Sequence, residues 1–203
     1  MKIANLKTIY ICPDHNEKYH TRKVHMDNML NTLGFKNFTY YKSSTDNYPT
    51  CLNKATIDIL ENNLDTPVLI LEDDIEWTGI NEVAFDPNID AIYLGLSKSA
   101  GHPTNNIHLG ESIFEKWSDT QVKIINMLSA HAILYISKTY KQAVIESLKN
   151  NMLFYNDIVI SRLQFKFNVL ANKKCVFYQS HKFNDGMHVE NETKIEVNHT
   201  LSF

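Results

Sequence analysis

The feature that most constrains the fold is an apolar run that ends in three consecutive acids. Residues 67–71 read PVLIL, and Glu72, Asp73 and Asp74 follow directly. A strand that faces water on one side alternates apolar and polar residues, whereas a strand covered on both faces is apolar throughout. The run therefore predicts a central strand of an α/β sheet with helices packed on both faces.

The residues around this run predict strands and helices in alternation. Residues 7–12 and 38–41 have the composition of strands, and residues 17–33 and 52–61 place apolar side chains at helical spacing. This order implies parallel strands joined by crossover helices. Ligands bind beyond the carboxyl ends of such strands, so we expect the segments 12–14, 43–46 and 72–74 to converge on one crevice.

The second half of the chain has a more mixed pattern. The segment 99–108 is a loop of Gly, Pro and Asn residues, long enough to be functional or mobile. Because no linker divides the sequence, we expect a single domain over residues 1–203. The remaining predicted elements are strands at 91–96, 122–126, 132–136 and 175–178, with the middle two paired, and helices at 138–150 and 156–165.

Composition argues against several classes of protein. A formal net charge of −3 over 203 residues does not favour non-specific binding of nucleic acid through a basic face. No apolar run approaches the roughly 18 residues of a membrane span, and the apolar start is too short for a signal peptide. Cys12, Cys51 and Cys175 are odd in number and widely spaced, which is typical of free thiols in a reducing compartment. We therefore predict a cytoplasmic protein.

Alternation along a strand divides the three acids. Glu72 and Asp74 point to one side, and Asp73 points to the other. Two carboxylates at the end of a strand suit Mg²⁺ or Mn²⁺, because these ions take one or two protein carboxylates and complete their shell with water and phosphate oxygens. The alternative is an acidic strand end that is simply solvated.

The stretch PVLILEDDIEW resembles the acidic motif of glycosyltransferases of the GT-A fold. Within that fold it is most similar to glycosyltransferase family 25, the group of lipopolysaccharide-modifying and collagen galactosyltransferases. Three segments in the rest of the chain extend the similarity: TIYICPDHNEKYHTRKVHMDNML, LSAHAILYISKTYKQAVIESL and FYNDIVISRLQ, and the segment YQSHKFNDGMH resembles the family's terminal element. The helix before the acidic motif carries Asn53 and Lys54 where the family has a Ser-His pair. The length and the Asn-, Lys- and Ile-rich composition fit a small viral member.

The resemblance implies a GT-A-like, Rossmann-like α/β fold with a mixed, mainly parallel sheet flanked by helices. It also implies transfer of a sugar from a nucleotide-sugar donor, a UDP-sugar, to a glycan or protein acceptor, with inversion at the sugar carbon. Residues 1–78 would bind the nucleotide sugar, and residues 79–203 would bind the acceptor. A viral member would act in the host cytoplasm.

The same resemblance assigns roles to individual residues. Asp74 and Glu72 would bind the Mn²⁺ or Mg²⁺ ion, and His181 and His188 could complete its shell from the C-terminal side. Asp157, which follows aromatic residues able to stack on a sugar, would be the general base. The residues expected to contact the donor are Cys12, Arg22, Ser44, Asp46, Lys54 and Asp73.

These assignments have alternatives. Asn156 or Asp157 can open a helix as its N-cap, Lys54 can be a solvated helix charge, and His181 and His188 can be surface histidines. For the whole protein, the alternatives are another nucleotide-handling α/β enzyme of the nucleotidyltransferase kind and an inactive sugar-binding or structural relative. The Gly-rich phosphate loops GxGxxG and GxxxxGK[ST], which many nucleotidyltransferases use, do not occur in the chain.

Overall fold

A computed structural model describes residues 1–86, 88–183 and 194–195. These residues form a mixed eight-stranded sheet with helices on both faces and two small two-stranded sheets beside it. In chain order the elements are β1 (Thr8–Cys12), α1 (Glu17–Thr32), β2 (Phe38–Lys42), α2 (Thr50–Glu61), β3 (Val68–Glu72), β4 (Ile75–Trp77), β5 (Ala91–Tyr93), β6 (Ser99–Gly101), β7 (His108–Glu111), β8 (Ile113–Lys116), β9 (Gln121–Asn126), β10 (Ala132–Tyr135), α3 (Lys138–Asn150), α4 (Asn156–Gln164), β11 (Val169–Asn172) and β12 (Phe177–Gln179).

The order of strands in the large sheet is β2-β1-β3-β10-β5-β11-β9-β8. β1 pairs in parallel with β2 and β3, and β5 pairs in parallel with β11. The remaining adjacent pairs are antiparallel, so β10 and β9 run opposite to the other strands of this sheet. The predicted fold class, a mixed and mainly parallel sheet flanked by helices, is confirmed.

β3 has core on both of its faces. Val68 and Ile70 belong to the apolar layer that also holds α2, α3 and α4, whereas Leu69 and Leu71 belong to the layer that holds α1. All four side chains are buried. Burial of one such side chain contributes roughly 1.5–3 kcal/mol, so β3 anchors both layers of the core.

The predicted pairing of the strands at 122–126 and 132–136 is wrong. β9 lies between β11 and β8, and β10 lies between β3 and β5. The two segments are neighbours in the sequence, but the chain between them crosses from one part of the sheet to another. Proximity along the chain was the only cue to the pairing, and the partners of β10 are far away in the sequence.

The predicted loop at 99–108 is partly wrong as well. Its ends form the antiparallel hairpin of β6 and β7, which is separate from the large sheet. Short strands rich in Gly and polar residues lack the alternation that marks a strand in a sequence. Elsewhere the predicted elements shift by a few residues: the strand at 91–96 ends at Tyr93, and the last strand begins at Phe177.

No helix within the described ranges is both long and apolar enough to cross a lipid bilayer.

Candidate active site

The acidic turn, residues 72–74, lies where three parallel strands end. β1, β2 and β3 run in the same direction, so their carboxyl ends share one edge of the sheet. β3 ends at Glu72, and Asp73 and Asp74 form the turn to β4. The main-chain carbonyl of Asp74 accepts a hydrogen bond from the N–H of Ser180 at 2.6 Å. The residue that follows β12 therefore helps to fix the turn.

Asp73 points toward α1 and pairs with Arg22. The distance from Arg22 Nη1 to Asp73 Oδ1 is 2.9 Å, and both side chains are buried. Burial alone would lower the pKa of Arg22, but the negative charges of Asp73 and Asp74 outweigh it and raise that pKa. Arg22 also donates to the main-chain carbonyl of Phe183. Arg22 thus holds the acidic turn, and its contact with a donor diphosphate stays a prediction.

Glu72 lies on the other side of the turn, among carboxylates. Its pKa is raised well above the usual value, first by burial and then by the negative charges of Asp74, Asp157 and Asp73, with Arg22 acting in the opposite direction. Asp157 influences Glu72 more strongly than the adjacent Asp73 does. Glu72 therefore lies within electrostatic reach of Asp74 and Asp157, while Asp73 pairs with Arg22.

Asp157 lies in the first turn of α4. Its Oδ1 accepts the N–H of Ile158 at 2.8 Å, and the main-chain N–H of Ser129 also acts on the carboxylate. Burial raises the pKa of Asp157, and these N–H groups and the charge of His108 oppose that rise. The N-cap position belongs to Tyr155, so the predicted N-cap role of Asn156 or Asp157 is wrong.

Ser129 has a backbone conformation that non-glycine residues seldom adopt, with φ at 109°. Such strain costs on the order of 1–3 kcal/mol and persists only where the surroundings enforce it. Here the conformation accompanies an N–H that acts on Asp157 and a hydroxyl 2.9 Å from Nδ1 of His131.

A buried amide network connects α2 to the start of α4. The Asn53 amide donates to the carbonyls of Met152 and Phe154, at 2.9 Å each, and its oxygen accepts from the Asn156 amide at 3.0 Å. Asn53 and Asn156 are both almost completely buried. Asn53 occupies the helix in which family 25 has its Ser-His pair, and here it fixes the segment that leads to Asp157.

Two exposed tyrosines lie near these carboxylates. The rings of Tyr48 and Tyr155 are 5.7 Å apart at an angle of 38°, and these residues are 63% and 41% exposed. The pKa of Tyr48 is raised, because its hydroxyl is partly desolvated and lies near the carboxylates of Glu72 and Asp157. Exposed aromatic rings beside half-buried carboxylates combine an apolar surface with hydrogen-bond acceptors.

The predicted donor residues of the first half lie in two places. Ser44, Asp46 and Lys54 bond to one another on the surface: Asp46 Oδ2 accepts from the Ser44 hydroxyl and from Lys54 Nζ, at 2.7 Å each. The Lys54 bond, followed by the Ser44 bond, lowers the pKa of Asp46. Cys12 is fully buried, and its thiol donates to the carbonyl of Tyr19 at 3.4 Å. A ligand in the crevice would therefore not reach its sulfur in this arrangement, and donor binding by these residues stays a prediction.

An ion bound by the predicted metal ligands would take only part of its coordination shell from the protein. Within residues 1–86, 88–183 and 194–195, no three His, Cys, Asp or Glu side chains are grouped to hold a metal ion. His181 is exposed, and His188 lies outside the described residues. Glu72 and Asp74 remain as a pair of oxygen donors in a region of excess negative charge. Mg²⁺ and Mn²⁺ accept such a pair when water and phosphate supply the other ligands.

Sequence analysis did not identify Tyr48, Asn53 or His108 as part of this region. Tyr48 comes from a polar loop before a proline, and His108 comes from a segment predicted as a loop. Nothing in the local pattern around either residue distinguishes it from a surface residue. Asn53 appeared only as a departure from the family pattern.

Comparison with known proteins finds similar solved structures but no matching sequence. No protein-family model matches the chain, and no curated protein sequence matches it significantly. One similar solved structure is a glycosyltransferase involved in the glycosylation of the major capsid of PBCV-1, with a TM-score of 0.49, 12% identity, and coverage of 85% of this chain and 92% of that chain.

Two further structures have comparable similarity. The nucleoside-diphosphate-sugar pyrophosphorylase from Vibrio cholerae RC9 has a TM-score of 0.46 and 12% identity, covering 86% of this chain and 73% of that chain. A197 from STIV has a TM-score of 0.46 and 13% identity, covering 96% and 99%.

Proposed function

We propose that the chain is a metal-dependent glycosyltransferase that moves a sugar from a UDP-sugar donor to an acceptor hydroxyl, with inversion at the sugar carbon. The observation that carries this proposal is that Asp157, at the start of α4, and Asp74, in the turn after β3, both act electrostatically on Glu72. A metal-binding pair alone would suit many phosphate reactions. A further carboxylate of raised pKa supplies the base that an attacking hydroxyl needs. The resemblance of the acidic motif to that of GT-A enzymes supports the same interpretation.

Asp74 and Glu72 would hold the divalent ion, with Asp74 as the principal ligand. The crowding of Glu72 by Asp74 and Asp157 leaves negative charge that Arg22 only partly opposes. When bound, a divalent ion neutralises the charge that develops on a leaving diphosphate. The buried pair of Arg22 and Asp73 would fix the orientation of the turn that carries both ligands.

Asp157 would act on the acceptor. As the acceptor oxygen bonds to C1 of the sugar, the bond from C1 to the diphosphate breaks, and its electron pair leaves with the nucleoside diphosphate. The hydroxyl proton passes to Asp157. Burial raises the pKa of this carboxyl above its usual range, which makes its carboxylate a stronger base. The bond from the Ile158 N–H holds one of its oxygens in place.

Thermal unfolding with a panel of nucleoside diphosphates, with and without Mn²⁺, tests donor binding. A ligand at about 100 times its Kd stabilises the folded state by about 2.7 kcal/mol. We expect UDP to raise the midpoint only when metal is present. If none of the nucleoside diphosphates raises it under any metal condition, both the glycosyltransferase and the nucleotidyltransferase proposals fail.

Three matched substitutions separate the roles of the carboxylates. Asp74→Asn should remove the metal-dependent part of the UDP shift. Asp157→Asn should keep that shift and lower sugar transfer at least about 10²-fold. Asp119→Asn makes the same chemical change at an exposed site before β9, and it should alter neither property.

Transfer is measured as release of UDP from UDP-sugars in the presence of glycan acceptors. Retained transfer by Asp157→Asn contradicts the assignment of the base. Formation of a nucleotide sugar from a sugar phosphate and a nucleoside triphosphate would identify a nucleotidyltransferase instead. UDP binding without either reaction would identify an inactive relative.

A further inference from the structure

The hairpin of β6 and β7 is fastened to the helix that carries Asp157. Arg162, on α4, donates through Nε to the carbonyl of His102 at 3.3 Å and through Nη2 to that of Asn105 at 3.0 Å. Oδ1 of Asn106 accepts the N–H of Tyr155 at 2.8 Å. The tip of the hairpin is therefore held along α4, at Arg162 in its last turn and at Tyr155 just before its first residue.

The end of β6 next to this tip is equally fixed. The Asn126 side chain brackets Gly101, because it accepts the Gly101 N–H and donates to the Gly101 carbonyl, at 2.8 Å each. A Cβ atom at Gly101 would lie 2.3 Å from the hydroxyl oxygen of Ser161, so the hairpin packs closely on α4. His108, the first residue of β7, pairs with Gly101 and is therefore fixed by the same contacts.

Tyr48 and His108, from two other segments, interact electrostatically with Asp157. His108 is exposed, and its charge acts on Asp157. Tyr155 is two residues before Asp157, and its ring contacts that of Tyr48. The surface made by Tyr48, Tyr155 and His108, which we name the rim, belongs to three separate segments that meet only in the folded chain.

We propose that the rim is the acceptor subsite and that its ligand is a neutral pyranose ring, so that the acceptor is a glycoside. This inference rests on the proposed function, because Asp157 must contact the acceptor hydroxyl. The tyrosine pair offers an apolar surface that fits the C–H face of a pyranose, and the carboxylates behind it accept hydrogen bonds from sugar hydroxyls. His108 would contact a hydroxyl next to the one that reacts and would help to select the acceptor.

Charge distinguishes this ligand from others. Asp74 and Asp157 both add negative charge around Glu72, so a carboxylated or phosphorylated acceptor would be repelled there. An uncharged sugar experiences no such repulsion and has hydroxyl donors to offer. We therefore expect the rim to favour methyl glycosides of neutral hexoses over the methyl glycoside of glucuronic acid.

Saturation-transfer NMR with a panel of methyl hexopyranosides tests the subsite in the full chain, with UDP and Mn²⁺ present. Tyr155→Ala, Tyr48→Ala and His108→Ala should each weaken glycoside binding, by about tenfold for the tyrosines, since an aromatic contact contributes about 0.5–1.5 kcal/mol beyond its area. The Kd of UDP should stay within about twofold of the unsubstituted value, as expected when no donor contact is lost. Tyr48→Phe, which keeps the ring, should retain most of the binding.

Phe165→Ala is the matched control. Phe165 is an exposed aromatic residue at the opposite end of α4 from Tyr155, and its replacement should leave glycoside binding unchanged. If the rim variants behave like this control, if they weaken UDP instead of the glycoside, or if no methyl hexopyranoside binds, the inference is wrong. These results differ from failure of the proposed function, which would appear as the absence of any UDP effect on the unsubstituted protein.

Discussion

At the scale of the residue, Glu72 shows how the acidic turn opposes folding. Burial and three neighbouring carboxylates raise its pKa, so the ionised form is disfavoured in the folded chain. A site that collects negative charge in this way is less stable without a cation than a neutral site would be. A bound cation would offset the repulsion among these carboxylates and so increase the stability of the folded protein.

Glu72→Gln should stabilise the metal-free protein at alkaline pH. The folded-state pKa lies above the unfolded one, so the contribution of Glu72 is fully present at low pH and is lost as pH rises through the folded-state pKa. Gln carries no charge and avoids this loss. We expect the unfolding midpoint to rise by a few degrees at pH 8 and to change little at pH 4, as measured by calorimetry with a chelator.

The control for this substitution is Glu146→Gln, an exposed residue of α3. It should leave the midpoint almost unchanged at both pH values. A lower midpoint for Glu72→Gln at pH 8 would show that Glu72 forms a stabilising contact that outweighs the repulsion.

His131 titrates in the opposite sense. It is 1% exposed, and burial lowers its pKa to about 4 from the ordinary 6.5. As the pH falls below 6.5, His131 therefore takes up a proton in the unfolded chain but not in the folded chain. The free energy of unfolding should decrease by up to about 3 kcal/mol between pH 6.5 and pH 4. Urea unfolding at a series of pH values should show this slope, and His131→Asn should flatten it. An equal slope in the variant would assign the loss to other groups.

At the scale of the element, Lys141 stabilises the end of α2 from a neighbouring helix. Lys141 belongs to α3, and its side chain is completely buried. Its Nζ donates to the carbonyls of Asn63, Leu64 and Thr66, at 2.8, 3.2 and 2.6 Å. These carbonyls follow the last turn of α2, where main-chain acceptors lack partners within the helix. A positive charge at this end also complements the helix dipole.

Lys141→Met should destabilise the protein by roughly 3 kcal/mol, because buried carbonyls lose charged hydrogen bonds while the apolar stem is kept. Lys138→Met on the same helix removes the exposed pair with Asp65 and should cost less than about 1 kcal/mol. Urea unfolding of both variants measures the difference. Similar losses for the two would contradict a capping role for Lys141.

The elements also show what the sequence could predict. The bounds of α1 and α3 agree with the apolar periodicity and with Asn16 and Ser137, whose side chains cap the helices. The hairpin of β6 and β7 escaped prediction because it is held by Arg162, Asn106 and Asn126, which are polar contacts between distant segments. Such contacts leave no periodic signal in a local window.

At the scale of the whole molecule, the two halves of the sequence share one sheet. β10, from the second half, lies between β3 and β5, and α2 packs against α3. The donor side and the acceptor side of the proposed site are therefore parts of a common core. The acidic turn and Asp157 were predicted because carboxylates at the start or end of an element are visible in the sequence. The meeting of Tyr48 with Tyr155 depends on the tertiary arrangement and was not.

Residues 1–78 alone should not fold cooperatively. In this fragment β3 lacks β10, its partner on one edge, and α2 loses its contact with α3. The apolar layer between them would be exposed to water, which a fragment of this size cannot offset. We expect no sigmoidal urea transition in circular dichroism, whereas the full chain should show one. A cooperative transition of the fragment would indicate an independent nucleotide-binding unit.

The buried amide pair of Asn53 and Asn156 has a consequence for evolutionary change. The Asn156 amide donates to the Asn53 side-chain oxygen, and the Asn53 amide donates to two carbonyls of the segment before α4. Replacement of one of the two residues would leave a polar group unsatisfied in the core. Natural selection should therefore remove such a replacement unless the second residue also changes in the same lineage. Residues 53 and 156 should therefore covary among related proteins. In a relative with a different pair at these two positions, we expect the carboxylate of Asp157 to change its position relative to the substrate.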